Sequence, residues 1–434
     1  MLHDPSHHTP MVVAEEIQVA PQDKEILREL AGQKAEIGAL PVHQEKARLW
    51  TAMNDLKSER PMVWINEICW NEMNVDDELT LRCEGGWARE QELLLRRELY
   101  QWNHLPGDMV VNPWIECPKA IHSTDFGIRE DTDIAETDHE NDVVSRHFNV
   151  QIEELADLEL IKMPEVTHNE AATAFQQHAF NEVFGDIMPV KTVGQTHIWF
   201  TPWDFLIRWT GIENAMIGLY EEPELYHAGI DRLVDAWMTE LDQLEAQKLL
   251  SLDNNNIRVG SGGYGYISEL PGSDFDSAHV KPLNMWGCSN AQIFSSVSPE
   301  MHWDFAVAHD MRWMERWGVN YYGCCEPLDI KMDLLRRIPN LRKVSVSPWC
   351  NSAKIIEGLG SDYVLSRKPS PAILATDTWR PEQARQQIRE FLDLTEGQSH
   401  VELIMKDIST VRHQPQRLWE WSLIVMEEAE RYAG

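Results

Sequence analysis

The sequence predicts an α/β fold: a (β/α)8 TIM-type barrel with an N-terminal helical extension. Two observations predict it. Over the second half of the chain, short apolar runs alternate with helical segments of ten or more residues, the pattern of βαβ units and a parallel sheet. Enough units recur, with no linker between them, to favour a closed barrel over an open sheet, and the last helical segment runs to residue 431, as barrels usually do. The division that follows is residues 1–60 as the extension and 61–434 as the barrel.

Between residues 22 and 58, apolar positions at helical spacing (Ile26, Leu27, Leu30, Leu40, Ala47, Leu49, Trp50, Met53, Leu56) predict two helices ending before Pro61. PMVWINEI (61–68) is an apolar run after a proline and reads as a buried strand. A helix over 87–104 carries Trp87, Leu93, Leu94, Leu99 and Trp102 on one side, and MVVNPWIE (109–116) reads as a strand. Residues 123–145 are the most acidic and least apolar segment and predict a solvated excursion. A helix over 167–184 and a strand over 193–200 follow. From there the spacing predicts helices over 224–247, 299–317, 328–337, 351–358, 380–394 and 415–431, with strands over 248–254, 319–326, 342–349, 362–368 and 401–407.

Composition narrows the function. Lys and Arg number 38 against 71 Asp and Glu, a formal charge of −33. That field repels phosphate backbones and anionic lipid heads, so nucleic acid and membrane are excluded as main partners. No apolar run is long enough to span a bilayer. The N-terminal MLHDPSHHTP has neither a basic nor an apolar leader region, and the cytoplasm is the expected location. Seven cysteines, an odd number in a long chain, read as reduced thiols and metal ligands rather than a disulfide framework. Eighteen tryptophans are the other oddity, most of them assigned to packing.

In such a barrel the chemistry sits where strands end. Reading strand ends in order collects Asn66 and Glu67; His197 and Trp199; Asp253, Asn254 and Asn255; Trp286; Cys324, Cys325 and Glu326; Trp349 and Cys350; Arg367 and Lys368; Asp407 and then His413. Glu67, His197, Asp253 and Asn255 are the catalytic candidates, with Glu67 as general acid or base if burial raises its pKa. Asn66, Trp199, Trp286, Trp349 and Arg367 are the substrate-lining candidates. Each has a plainer reading beside it: Asx residues cap turns, a core histidine satisfies backbone, and a buried cysteine packs as a small hydrophobe. Adjacent strand residues face opposite ways, so at most one of Cys324 and Cys325 faces the mouth unless the chain turns there. GSGGYG (260–265) matches a dinucleotide-loop spacing but is followed by a polar loop instead of a helix. It reads as a flexible lid.

Several blocks in order resemble the uroporphyrinogen decarboxylase-like superfamily. They are the helix pair TGIENAMIGLYEEPELYHAGIDRLVDAW (210–237), NMWGCSNAQIFSSVSPEMHWDF (284–305), GCCEPL (323–328) with the following KVSVSPWCN, and LSRKPSPAIL (365–374). RPMVWINEI (60–68) sits where the decarboxylases carry an arginine-rich motif. Here that stretch is NEICWNE (66–72), with no arginine and with Glu67 and Glu72 instead. An acidic chain lacking those arginines is a poor host for a polycarboxylate, so the resemblance points to the zinc-dependent methyltransferase branch.

In that branch zinc is held by an H-x-C pair and a later cysteine. The histidine is missing here. The resemblance, so altered, implies a zinc set drawn from Cys324, Cys325, Glu326 and His413. It implies transfer of a methyl group between a small donor, such as an O-methyl compound, and a corrinoid. No D-x-H-x-x-G motif occurs, so the corrinoid would arrive on a separate protein. The alternative is a cofactor-independent decarboxylase or lyase acting on a small carboxylic acid held by Arg367 and Lys368. Composition alone also allows a carbohydrate-processing barrel, or a barrel that only binds a corrinoid partner. A homodimer is left open.

Overall fold

The computed structural model describes residues 17–135 and 145–433. In chain order its strands are β1 (Met62–Ile65), β2 (Ile115–Pro118), β3 (Ile121–Ser123), β4 (Thr132–Ala135), β5 (Ser145–Phe148), β6 (Val166–His168), β7 (Val190–Val193), β8 (Trp286–Ser289), β9 (Val319–Tyr322), β10 (Leu341–Val346), β11 (Val364–Arg367) and β12 (His400–Met405). The centre is a six-stranded parallel sheet in the order β1-β12-β11-β10-β9-β8. From β8 to β12 each strand pairs with its neighbour in sequence, as a run of βα units with short connections must.

Alternation along the strands gives the sheet two faces. Val401, Leu403 and Met405 of β12, with Leu365 and Val344, join the large apolar core that includes Leu392, Leu418 and Trp421 of the flanking helices. The other parity, Ile404 and Val364, packs with Met62, Tyr264 and Trp50. Trp50 lies in the helix Val42–Asn54, is wholly buried, and its indole N–H donates to Asp108 O at 2.8 Å. One predicted helix of the N-terminal extension is thus packed onto the inner face of the sheet. The other, Pro21–Gly38, packs with Gly86–His104 and Glu170–Phe184 in a second core around Leu27, Trp87, Leu99, Phe180 and Phe184.

Among the described residues the ladders draw six strands and a separate parallel pair, β2 with β7, and not a closed ring of eight. The stretches predicted over 193–200 and 248–254 meet at a single bridge, Gln195 with Leu250. Lys248 has φ 58°, which breaks strand geometry at its start. At the β8 edge the Trp286 N–H goes to the Asp253 carboxylate, 3.1 Å away, and not to a neighbouring strand. Predicted helix 328–337 contracts to Met332–Leu335, and 299–317 is interrupted by a π-helical turn at Trp303–Val307. The predicted excursion over 123–145 is, where described, the antiparallel pair β4 and β5; residues 136–144 lie outside the described residues. No described helix is long and apolar enough to cross a membrane.

The glycine-rich segment 260–265 is a plug and not a lid. Every residue of it is buried. Gly263 N–H donates to Glu402 Oε1 at 3.0 Å, Lys343 Nζ to Tyr264 O at 3.1 Å, and Trp286 Nε1 to Gly265 O at 2.8 Å. Side chains would not fit: a Cβ on Gly263 would stand 2.5 Å from the Trp50 ring and one on Gly262 2.4 Å from Glu402 Oε1.

Candidate active site

Just beyond the C-terminal ends of β1, β9 and β12, six polar groups converge. β1 delivers Glu67, β12 delivers Lys406 and Asp407, β9 delivers Cys324 and Cys325, and Arg258 comes from the segment leading into the plug. Arg258 Nη1 stands 2.7 Å from Glu67 Oε1. Lys406 Nζ is 3.4 Å from Glu67 Oε2 and 2.5 Å from Asp407 Oδ2, and Asp407 N–H donates to Glu67 Oε2 at 3.2 Å. Glu67 and Asp407 both adopt left-handed backbone, φ 47° and 55°, which costs on the order of 1–3 kcal/mol at each non-glycine position and clusters at functional sites.

The two carboxyls are driven apart. Burial opposes charge on Glu67, but Arg258 and Lys406 outweigh it and hold the group well below the usual carboxylate range. Burial pushes Asp407 up, and the charge of Glu67 adds to the shift despite Lys406. Lys406 is held firmly charged: burial works against it, yet Cys324, Glu67 and Asp407 outweigh that.

The sulfurs of Cys324 and Cys325 lie 3.6 Å apart. The strand rule that would send them to opposite faces does not apply, because β9 ends at Tyr322 and Gly323 turns the chain at φ 95°. A Cys324 S–H donated to Cys325, helped by Lys406, draws Cys325 below its ordinary value, while that same bond and burial push Cys324 up. Cys325 is half-buried and Cys324 buried.

Deeper on the same face lies a polar layer of which only Lys368 was among the sequence expectations. Lys343 Nζ donates to Glu402 Oε2 at 2.9 Å, and Ser366 Oγ donates to Glu402 Oε1 at 2.5 Å. Lys368 Nζ donates to Tyr321 OH at 2.5 Å, Ser366 O at 2.9 Å and Ser366 Oγ at 2.7 Å. Burial draws the Lys368 amine down to about 7. Lys368 was among the strand-end residues expected; of the residues missed, Lys406 was recoverable from parity, since it keeps the phase of the inward Glu402. Arg258 carries no such signal.

Other expected residues fall elsewhere. Arg367 is on the opposite parity: Nη1 donates to Ser347 O at 2.7 Å and its guanidinium lies 5.0 Å from the Phe391 ring centre, against a flanking helix. Trp286 is wholly buried beneath the plug, in the apolar cluster with Val259 and Tyr321 against which the half-buried Trp199 packs, while Trp349 is 75% exposed and stands apart. Asn255 caps its own loop, accepting from Ile257 N–H at 2.9 Å. Asn66 keeps its place at the end of β1, and both polar atoms of its amide are buried without a partner.

His197 and Asp253 pair at 3.5 Å, both buried. Burial opposes charge on His197 while Cys288 and Asp253 favour it, a balance at about 9. Yet Gly260 N–H donates to His197 Nε2 at 2.9 Å, which requires a lone pair there. The observed bond therefore fits the neutral ring with its proton on Nδ1. Burial raises Asp253, whose carboxylate also takes the Trp286 N–H. This pair anchors the plug.

The expected zinc set is not assembled. Glu326 is fully buried and accepts from Cys324 N–H at 2.8 Å and Ala291 N–H at 3.2 Å, so its oxygens are engaged by backbone. His413 is exposed on a loop whose backbone is held by Glu72. Among the described residues no group of three or more His, Cys, Asp or Glu could hold a metal ion. Two sulfurs alone do not complete a tetrahedral site.

A hollow of about 420 Å³ lies between Trp102, Met109, Leu423 and Met426, and none of the strand-end residues lines it. Its neighbours offer no reactive constellation comparable to the thiol and carboxyl cluster.

No family model matches this chain, and no curated protein matches it. Solved structures do match, among them a methyltransferase from Methanosarcina mazei at 11% identity, covering 90% of this chain and 99% of that one, with a TM-score of 0.48. That likeness is too distant to carry chemistry from one chain to the other.

Proposed function

We propose that the chain is a methyltransferase, taking a methyl group from a small neutral donor of the O-methyl class and passing it to a corrinoid carried by a separate protein. The ordered sequence blocks support the reaction class. We take the six-stranded sheet and the β2–β7 pair as parts of one barrel-type architecture. The observation that carries the choice of substrate is the pairing of the cations. Arg258 and Lys406 are matched by Glu67 and Asp407, Lys343 by Glu402, and Lys368 by Tyr321 and Ser366. Arg367 faces away. A substrate carboxylate would have to displace one of these bonds at a cost, which disfavours the carboxy-lyase reading and favours an uncharged donor.

Loss of a methyl group leaves the donor oxygen in need of a proton. Asp407, whose carboxyl burial and the neighbouring Glu67 charge push up from the ordinary range, is the group we assign to deliver it as general acid, the proton passing through the Lys406–Asp407 pair. Two carboxyls with pKa values pushed apart are the usual mark of such an assignment. Asn66, with its unpartnered amide, orients the donor, and the half-buried Cys325 offers it a soft contact. Zinc takes no step in this reading.

The test is methyl transfer from a panel of O-methyl compounds to free cob(I)alamin, followed by absorbance of the methylated product. Wild type is expected to turn over, and Asp407→Asn to lose about 100-fold in kcat, the usual weight of a general acid. No transfer from any donor, or decarboxylation of small acids by the metal-free protein, would overturn the reading.

A further inference from the structure

Beyond methyl transfer, and independent of it, the strand-end sulfurs make a second chemistry available. We propose that Cys324 and Cys325 form a reversible dithiol–disulfide couple that exchanges with small disulfides, Cys325 as the attacking sulfur and Cys324 as the resolving one.

Three observations carry this. The sulfurs are already in contact at 3.6 Å, so closure is local to the two residues and the peptide that joins them. The turn at Gly323, φ 95°, brings side chains from consecutive positions to one side. Exposure is divided between them: Cys325 is half-buried while Cys324 is 6% exposed. An incoming disulfide meets Cys325 first and leaves Cys324 sheltered for the second step. The Lys406 ammonium, 5% exposed and fixed by Asp407 and Glu67, stabilises negative charge on either sulfur. An accessible thiolate beside a resolving cysteine is the general arrangement of thiols that oxidise reversibly.

The step balances. Cys325 sulfur attacks RSSR, forming Cys325–S–S–R and releasing RS⁻. Cys324 loses its proton, and its sulfur displaces the second RS⁻ to close the Cys324–Cys325 bond. Two thiols are oxidised to one disulfide, and RSSR is reduced to two RSH. Consecutive Cα atoms are about 3.8 Å apart, closer than the roughly 4.4–6.8 Å of ordinary disulfides. The product is therefore strained and easily reduced, which makes the couple reversible.

The test treats the folded chain with hydroxyethyl disulfide, then alkylates it and maps the peptides by mass. The expected result is that alkylatable thiols fall by two from the seven present, with an internal disulfide at 324–325 that dithiothreitol reverses. In Cys324→Ser the adduct should stop at a mixed disulfide on Cys325, and in Cys325→Ser no thiol of the pair should react. A wild-type chain that keeps all its thiols, holds a stable mixed disulfide, or bonds any other pair of cysteines overturns the proposal. Circular dichroism confirms that the variants remain folded. Because the readout is a thiol count, it stands or falls separately from methyl transfer.

Discussion

At Asp310, in the helix Ala308–Met314, a carboxyl group is walled in against the back of β8. Ser289 Oγ donates to Oδ2 at 2.6 Å, and Oδ1 has no partner. Burial pushes this group up to about 7, against about 3.9 in an unfolded chain. Between those values the folded state holds a proton that the unfolded state has released, so stability falls as pH rises through the window and levels off above it. Asp310→Asn removes that dependence while preserving shape and a partner for Ser289. In thermal unfolding the variant should gain on wild type as pH rises from 5 to 8, by on the order of 1–3 kcal/mol. Equal melting shifts at both values would show that Asp310 is not strained by its charge. The residue scale is also where the sequence was least legible. Glu67, Asn66 and the cysteines were found because strand ends can be located. Their roles were not, because Glu67 becomes a fixed anion only through Arg258, which lies far off in sequence. Arg367 and Lys368 were expected to act together, and one residue of offset sends them to opposite faces, the sensitivity that strand alternation imposes.

Among the elements, the segment 260–265 was the sharpest departure from expectation. Its glycines look like flexibility in one dimension and are close approach in three: Trp50, Tyr321 and Glu402 occupy the space where side chains would go. No local signal distinguishes the two cases, since the crowding partners come from other elements. The physical consequence is testable. Gly263→Ala forces a methyl group to 2.5 Å from the rigid Trp50 ring and should destabilise by about 1–3 kcal/mol, the cost of overpacking. Gly32→Ala, inside the helix Pro21–Gly38 with nothing within 4 Å of the new Cβ, should stabilise by about 0.5–1 kcal/mol through helix propensity. Urea unfolding of the two variants measures both, and a neutral Gly263→Ala would mean the plug is loose. Helices were more legible than strands. Pro381–Leu394 and Gln416–Arg431 fall within a residue of their expected bounds, since helical periodicity is written locally. Whether 248–254 extends a sheet depends on Asp253 and Trp286 meeting, which periodicity does not encode.

Over the whole molecule, charge is sorted by depth. The chain carries −33, yet the inner face of the sheet gathers Lys343, Lys368, Lys406 and Arg258 around Glu402, Glu67 and Asp407. The acidity that argued against polyanionic partners is therefore a property of the exterior and not of the site. The two populations respond differently to salt. Buried pairs such as Lys343–Glu402, both wholly covered, are screened little, whereas exterior carboxylates repel one another over a Debye length of about 30 Å at 0.01 M salt and about 10 Å at 0.1 M. Exposed ion pairs such as Arg312–Asp235 lose strength on screening, but each contributes only about 0–1 kcal/mol, and the acidic excess outnumbers them. Self-repulsion destabilises the compact state, so its relief should dominate. Raising sodium chloride from about 0.01 to about 0.2 M should lift the melting temperature by on the order of 1–3 °C, the shift that about 1 kcal/mol produces in a large chain. A melting temperature that falls over this range would mean that surface ion pairs, and not the acidic excess, set the salt response of the fold.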